Sequence, residues 1–411
     1  MTAATNADRD TGGWPVIHYD FGATRSLHGF HQELDELRER SPFYWSTYGP
    51  VGFWMIMRHD DVRAAYQDHA VFSSDSIDPL DPDPAYRFIP TLVNPPEHVK
   101  YRQVLNRWFS PAAVANLGPV AREICVRNIE TFVAKGSCDF IGDFALRYPT
   151  EVFLTILGLP AEDSEIFVPL VDDFFFSFYA EDKSPIPGIA GAIQGYFAEV
   201  MADRRVRPRD PSVDFVTYLL SAEVDGRPLS DQEVLDICFV LVLAGLDTTR
   251  GQSGYLFHHL ATHDDDRRRI IEDPALIPVA VEETLRLYSI IIGDGRKVKR
   301  DIDFRGVPMK TGDMVWLSVV AANRDPRVYE DPTAFRLDRG GNHHFGFAAG
   351  PHRCLGAHLA RAEMIIATEE WHRRIPDYRV ATTDISERGG MLTLFSLPLE
   401  WEPTSSLIGA P

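Results

Sequence analysis

A chain of 411 residues with 45% hydrophobic content can bury a large core, and its composition shows no low-complexity, collagen-like or disordered character. A formal net charge of −19 argues against general binding to nucleic acid or to an anionic membrane. Four cysteines without paired spacing (Cys125, Cys138, Cys238 and Cys354) give neither a disulfide framework nor a zinc-type cluster, and three of them read as small buried hydrophobes.

The opening MTAATNADRDTGG is polar and lacks the basic start and apolar run of a leader or anchor. Residues 1–29 read as a polar segment ahead of a single domain over 30–411, because no Gly/Ser- or Pro-rich linker separates the later elements. The longest apolar stretch, Ile237 to Leu246, is too short to cross a bilayer, so a cytoplasmic protein without a membrane anchor is expected. Helical periodicity dominates and no repeat is visible, which predicts a mainly α protein with small β-sheets.

Along the chain, His98 and Arg102 stand four apart, on one helical face. Asp173 to Tyr179 forms an aromatic cluster whose rings either fill the core or face a ligand. Ser230-x-x-Glu233 is a capping box that opens a helix apolar on most sides through Val234, Leu235, Ile237, Cys238, Val240 and Leu241. That helix runs on through Asp247 and Thr248 toward His258 and His259, so an acid and an alcohol interrupt an otherwise buried element. A second helix, from about Pro278 to Tyr288, carries Glu282, Glu283 and Arg286. Alternating segments around Arg296–Phe304 and Met314–Val320 predict a small sheet. A loop rich in Gly and His then leads to Cys354, and Leu355 to Met364 reads as a further helix.

Cys354 at a loop-to-helix junction, beside His352 and Arg353, is set up as a thiolate, because a helix N-terminus and nearby cations favour the anion. Gly350 and Gly356 let backbone come close to the sulfur and to a flat partner. A buried cysteine after a Gly-rich turn is the plainer alternative. The string Phe347-Ala-Ala-Gly350-Pro-His352-Arg353-Cys354-Leu-Gly356 resembles the haem-binding signature F-x-x-G-x-x-x-C-x-G of the cytochrome P450 superfamily, with Ala348 where many members carry glycine. Two further motifs resemble the family in chain order: Ala244-Gly245-Leu246-Asp247-Thr248-Thr249 on the central helix, and Glu283-Thr-Leu-Arg286. The usual third partner of the Glu–Arg pair is displaced here, because Pro332-Thr-Ala334-Phe335 has alanine at its position, and Arg336 or Arg339 is the expected substitute.

This resemblance extends from about Phe30 to Trp401 and implies the cytochrome P450 fold, with a long central helix over a buried haem b whose iron is held by Cys354. It assigns His98, Arg102, Arg296 and His352, with Phe347 and Gly350 of the loop, to haem binding. Asp247 is assigned to proton relay and Thr248 to hydrogen bonding at dioxygen; the alternative is a Thr248 hydroxyl bonded back to its helix and a solvated Asp247. Strings such as Tyr86-Arg-Phe88-Ile-Pro-Thr, Asp294-Gly-Arg296 and Leu397-Pro-Leu-Glu-Trp401 are similar to the camphor-hydroxylating branch. By that match the substrate pocket holds Tyr86, Phe88, Phe174 or Phe175, Val240, Leu243, Ala244, Ile292 and Met391. The implied activity is monooxygenation of a small, largely apolar molecule, terpenoid-like in the first instance, with a fatty acid or steroid as alternatives. The soluble bacterial members it resembles take electrons from a separate ferredoxin and an NAD(P)H-fed ferredoxin reductase, for which Arg102, Arg107 and Arg353 would form a basic docking face. A peroxide-driven hydroxylase and a non-catalytic haem protein are the competing readings; the Asp247-Thr248 pair argues against both.

Overall fold

In the computed structural model, residues 9–340 and 343–403 are described. The central helix spans Asp231–Thr262, and its capping box is complete: Ser230 Oγ accepts from Glu233 N while the Glu233 carboxylate accepts from Ser230 N at 2.8 Å. Arg227 fixes the same carboxylate through two bonds of 2.8 Å. Beyond the cap the helix is enclosed by helices Arg147–Leu157, Ser164–Phe178, Ile186–Val206 and Ile277–Leu287, which explains its apolar circumference. Its C-terminal half is held by rings, with Phe257 stacked 4.2 Å from Phe140 and edge-on to Trp371 at 5.1 Å. Each fully buried ring or leucine contributes roughly 1.5–3 kcal/mol through area removed from water. Among the described residues, no helix is long and apolar enough to cross a membrane.

A six-stranded sheet packs to one side, in the order Val16–Ile17, Phe43–Ser46, Phe53–Ile56, Met314–Leu317, Asp294–Val298, Phe72–Ser73. Its second core is formed by Phe43, Trp45, Trp54, Ile56 and Val315. The sheet expected over Arg296–Phe304 and Met314–Val320 is thus part of a larger one, and its edges differ. Ile302–Phe304 leaves it to form a hairpin with Val307–Met309, and Val319–Asn323 is a short helix. Val319, Val320, Ala321 and Ala322 are all fully buried, so alternation carries no information there.

The polar segment 1–29 is not separate from the domain. Val16–Ile17 pairs in parallel with Trp45–Ser46, and Arg25–Ser26 pairs with Ser386–Glu387 in a three-stranded sheet closed by Thr393–Leu394. Trp14 adds an edge contact to Phe43 at 5.1 Å, and Arg9 an ion pair to Asp313. A few apolar residues among polar ones suffice to anchor a strand when the main chain supplies the bonds. Residues 1–8 and 404–411 lie outside the described residues.

Candidate active site

Cys354 sits between the turn Gly350–His352 and the helix Ala357–Arg374. Its backbone N–H donates to Phe347 O at 2.9 Å, and Ala348 N–H donates to Phe345 O at 2.8 Å, folding the loop back on itself. Two residues in that loop have left-handed backbone. Gly350, at φ +68, is required: a Cβ there would stand 2.4 Å from the carbonyl oxygen of Tyr66. Ala348, at φ 53, accepts the conformation glycine would adopt freely, so the departure from the signature costs strain of order 1 kcal/mol without altering the loop's course. Arg361 lays its guanidinium over the Phe347 ring at 4.5 Å.

Opposing influences act on the Cys354 thiol. Cys354 borders a cavity of about 280 Å³ and is exposed to that space, yet the surrounding protein mass pushes its thiol up from the ordinary range. The Gly356 N–H, Arg102, Arg361 and Arg353 act in the opposite direction. His352 contributes no charge, because burial brings its imidazole down to about 3.

His98, Arg102, Arg296 and His352, predicted from three distant parts of the sequence, line this same cavity. The rings of His98 and His352 lie 4.1 Å apart, and His98 Nδ1 and His352 Nε2 are buried without a hydrogen-bond partner. Burial and the neighbouring cations lower His98 to about 4, so both rings are neutral until an anion is near. Arg102 has no hydrogen bond or ion pair among the described residues, and Arg296 donates to Gly295 O at 2.6 Å beneath the Tyr66 ring. A thiol, two arginines without carboxylate partners and two orphaned imidazole nitrogens fit a flat, iron-bearing group with two carboxylates, which is haem.

On the central helix the predicted pair is divided. Val240, Ala244 and Thr248 are one turn apart and line the cavity, as do Leu241, Gly245, Thr249 and Gln252. Thr248 Oγ1 donates to Ala244 O at 2.8 Å, the back-bonded alternative. Gly245 is packed hard: a Cβ would meet the Phe153 ring at 2.5 Å. Asp247, with Leu243 one turn before it, lies on the face turned away. It is ion-paired with Arg250 and, at 3.1 Å, with Arg388, whose neighbour in space is Asp172. Asp247 is 2% exposed; burial raises its carboxyl above the ordinary range and the two arginines oppose that. It is therefore clamped rather than solvated.

The pocket residues are partly corrected. Val240 and Ala244 line the cavity, whereas Tyr86, Phe88, Phe174, Phe175, Leu243, Ile292 and Met391 do not. Tyr86 packs on Phe88 at 4.6 Å, and both rings lie about 6 Å from Phe174, which meets Phe175 edge-on at 5.6 Å. The aromatic roof thus closes on itself by ring–ring packing. Ile290 and Ile291 take the place assigned to Ile292, and Met391 bridges Ile291 through the backbone. Phe176 is exposed.

Glu283 and Arg286 are completely buried and joined by two bonds, of 2.7 and 2.9 Å. Arg286 also donates to the carbonyls of Asn323, Pro332 and Ala334. The third partner is Arg339, whose Nε lies 2.9 Å from Glu283 Oε1, while Arg336 reaches the same oxygen by its backbone N–H at 3.1 Å. Arg107 and Arg353 are exposed, but Arg102 faces the cavity and drops out of the expected docking face.

Sequence reading missed Arg250, Arg388 and Glu363. Arg250 stands three residues after Asp247 and could have been found from that spacing. Nothing local marks Arg388, which is 141 residues away. Glu363 lines the cavity, and burial raises its carboxyl to about 8 against a hydrogen bond from Thr249.

Comparison with known proteins agrees with this geometry. A family model described as Cytochrome P450 matches residues 87–370. A probable cytochrome P450 127A1 of Sinorhizobium fredii is 35% identical, the match covering 85% of this chain and 84% of that one. The methyl-branched lipid omega-hydroxylase of Mycobacterium bovis is 32% identical over 89% of each chain. The crystal structure of CYP101J2 superposes with a TM-score of 0.85 at 32% identity, covering 94% of this chain and 97% of that one.

Proposed function

Since the chain belongs to the cytochrome P450 family, whose members are haem b monooxygenases, we propose that it hydroxylates a compact, largely apolar molecule using dioxygen and externally supplied electrons. The observation that carries this reading is a single cavity lined by Cys354, by Thr248 and by the four donors His98, Arg102, Arg296 and His352. Haem b, when bound, supplies the activation of dioxygen. Cys354 Sγ would be its iron ligand and the four donors would hold its two carboxylates, with Phe347 and Gly350 shaping the loop that carries the sulfur. Thr248 lines the cavity, and its hydroxyl, once turned from Ala244 O, would hold a proton there. Asp247 feeds that path from behind the helix, which requires its carboxyl to loosen from Arg250 or Arg388.

The walls beyond the donor set are Val240, Leu241, Ala244, Ile290 and Ile291, with Phe153 behind Gly245, and they suit an alicyclic or aliphatic skeleton. A terpenoid-like substrate fits best, with a fatty acid or steroid as the next classes. One relative is named for a lipid substrate, the hydroxylase above, and another is the mycinamicin IV hydroxylase/epoxidase of Micromonospora griseorubida. Tyr86 would anchor a carbonyl or hydroxyl only when the aromatic cluster opens around the ligand. Electrons arrive from a ferredoxin served by an NAD(P)H-fed reductase, docking where Arg107 and Arg353 are exposed.

A panel of terpenoids, fatty acids, steroids and aromatic acids, scored by the low- to high-spin change of the iron, tests the proposal. Terpenoids should shift the spin state most. A shift by benzoates alone, or none by any apolar compound, refutes the pocket reading.

A further inference from the structure

Outside the cavity lining, the start of helix Gly29–Arg40 meets the strand Ser386–Arg388 and the central helix at Tyr255. One ring nitrogen each of His28 and His31 and a carboxylate oxygen of Glu387 lie within 4.8 Å of one another. We propose that His28, His31 and Glu387 form a binding site for a zinc-class divalent metal ion, distinct from the haem iron.

Four observations support it. His31 is 1% exposed and neither of its ring nitrogens has a partner; the same holds for His28 Nδ1. Unpartnered imidazole nitrogens in the interior are costly, and an ion accepts their lone pairs. Glu387 is fully buried and forms no ion pair among the described residues, so a carboxylate stands beside those nitrogens without a cation. Tyr255 OH and the backbone N–H groups of His28, at 3.2 Å, and Phe30, at 3.4 Å, hold that carboxylate in place, as partners of a metal ligand commonly do. His28 itself is in the left-handed region, at φ 64, and its ring stacks on Tyr288 at 4.9 Å, so its direction toward His31 is fixed at the expense of backbone strain.

Two imidazoles and one carboxylate are the donor set zinc favours, with a fourth position open to water. Ligands about 2.1 Å from a tetrahedral ion stand roughly 3.4 Å apart, which small rotations of these side chains reach. Of the arginines acting on the cluster, Arg324 is paired with Asp35 at 2.9 and 2.7 Å and Arg25 with Glu33 at 3.0 Å.

The test uses the full-length, haem-loaded protein, stripped with a chelator and dialysed against Zn²⁺, with zinc and iron counted by mass spectrometry and Tm followed. One zinc per chain beside the iron, and a Tm raised by zinc, are expected for the natural protein. His31→Leu, which preserves apolar volume, and Glu387→Gln should bind zinc at least tenfold more weakly and lose the Tm response, with haem absorbance unchanged. If His31→Leu fails to take up haem, His28→Ala at the helix boundary makes the same comparison. An anomalous zinc peak among the three side chains in soaked crystals of the natural protein is the independent readout. Absence of bound zinc, zinc retained at full affinity in the variants, or an anomalous peak elsewhere overturns the proposal.

Discussion

Replacing Arg388 by methionine removes one of the two cations that clamp Asp247 while keeping much of the side-chain volume. Two unit charges at the observed 3.1 Å interact by about 5 kcal/mol at an effective dielectric of about 20, a gross figure that desolvation reduces. Stripping a partner from a buried ion pair costs about 3–5 kcal/mol, and because Arg250 remains, the lower end, about 3 kcal/mol, is expected. The sign with pH follows from burial. The folded protein already holds the Asp247 proton more tightly than an unfolded chain does, so this residue lowers stability as pH rises. Losing Arg388 strengthens that effect, so the gap between natural protein and variant should be smallest at the acid end of a series from pH 5 to pH 8 and widen as pH rises. Urea denaturation across that range, followed by haem absorbance, measures the gap. Product formed per nicotinamide consumed should fall in parallel, with its acid limb displaced to higher pH. A gap independent of pH, or unchanged coupling in the variant, would refute the assignment of Asp247 as a clamped proton donor.

Thr248→Ala should bind substrate and accept electrons normally but release more peroxide and less product, read by peroxide assay against nicotinamide consumption; unaltered coupling assigns the proton path elsewhere. Arg286→Lys keeps the charge but cannot reproduce five directed bonds, and a stability loss of about 3 kcal/mol with early haem release on heating is expected. Glu363, raised to about 8, makes the folded state less stable as pH climbs from the carboxylate range toward that value; Glu363→Gln should flatten this slope in denaturation series. Cys354→Ser should lose the thiolate-specific ferrous carbonyl band, whereas serine at Cys125, Cys138 or Cys238, all buried away from the cavity, should retain it.

The central helix and the Cys354 junction were legible because their signals are local. A capping box, a 3.6-residue period and a glycine spacing are all read within one segment. The donors His98, Arg102, Arg296 and His352 were placed only through a family pattern, yet they converge on one cavity. The pocket was over-read because ring-to-ring packing is not visible in a sequence. Phe88 and Phe174 are apolar enough to face a ligand, and equally able to pack on Tyr86 and Phe239, which is what they do. The third partner of the Glu283–Arg286 pair became definite only in three dimensions, since Arg336 and Arg339 are equally near in sequence.

The short strand Ser386–Arg388 carries a consequence in time. Glu387 and Arg388 project to opposite sides of it, one onto the start of helix Gly29–Arg40 and the other onto Asp247. During synthesis the central helix therefore leaves the ribosome with a buried acid balanced by Arg250 alone, and well over a hundred further residues emerge before Arg388 can join it. The strand Arg25–Ser26 waits for the same segment. Chain growth thus delivers the helices first and the last sheet as a final latch, so a nascent chain halted before Ser386 should hold its helices while both ends of this strand's contacts stay open.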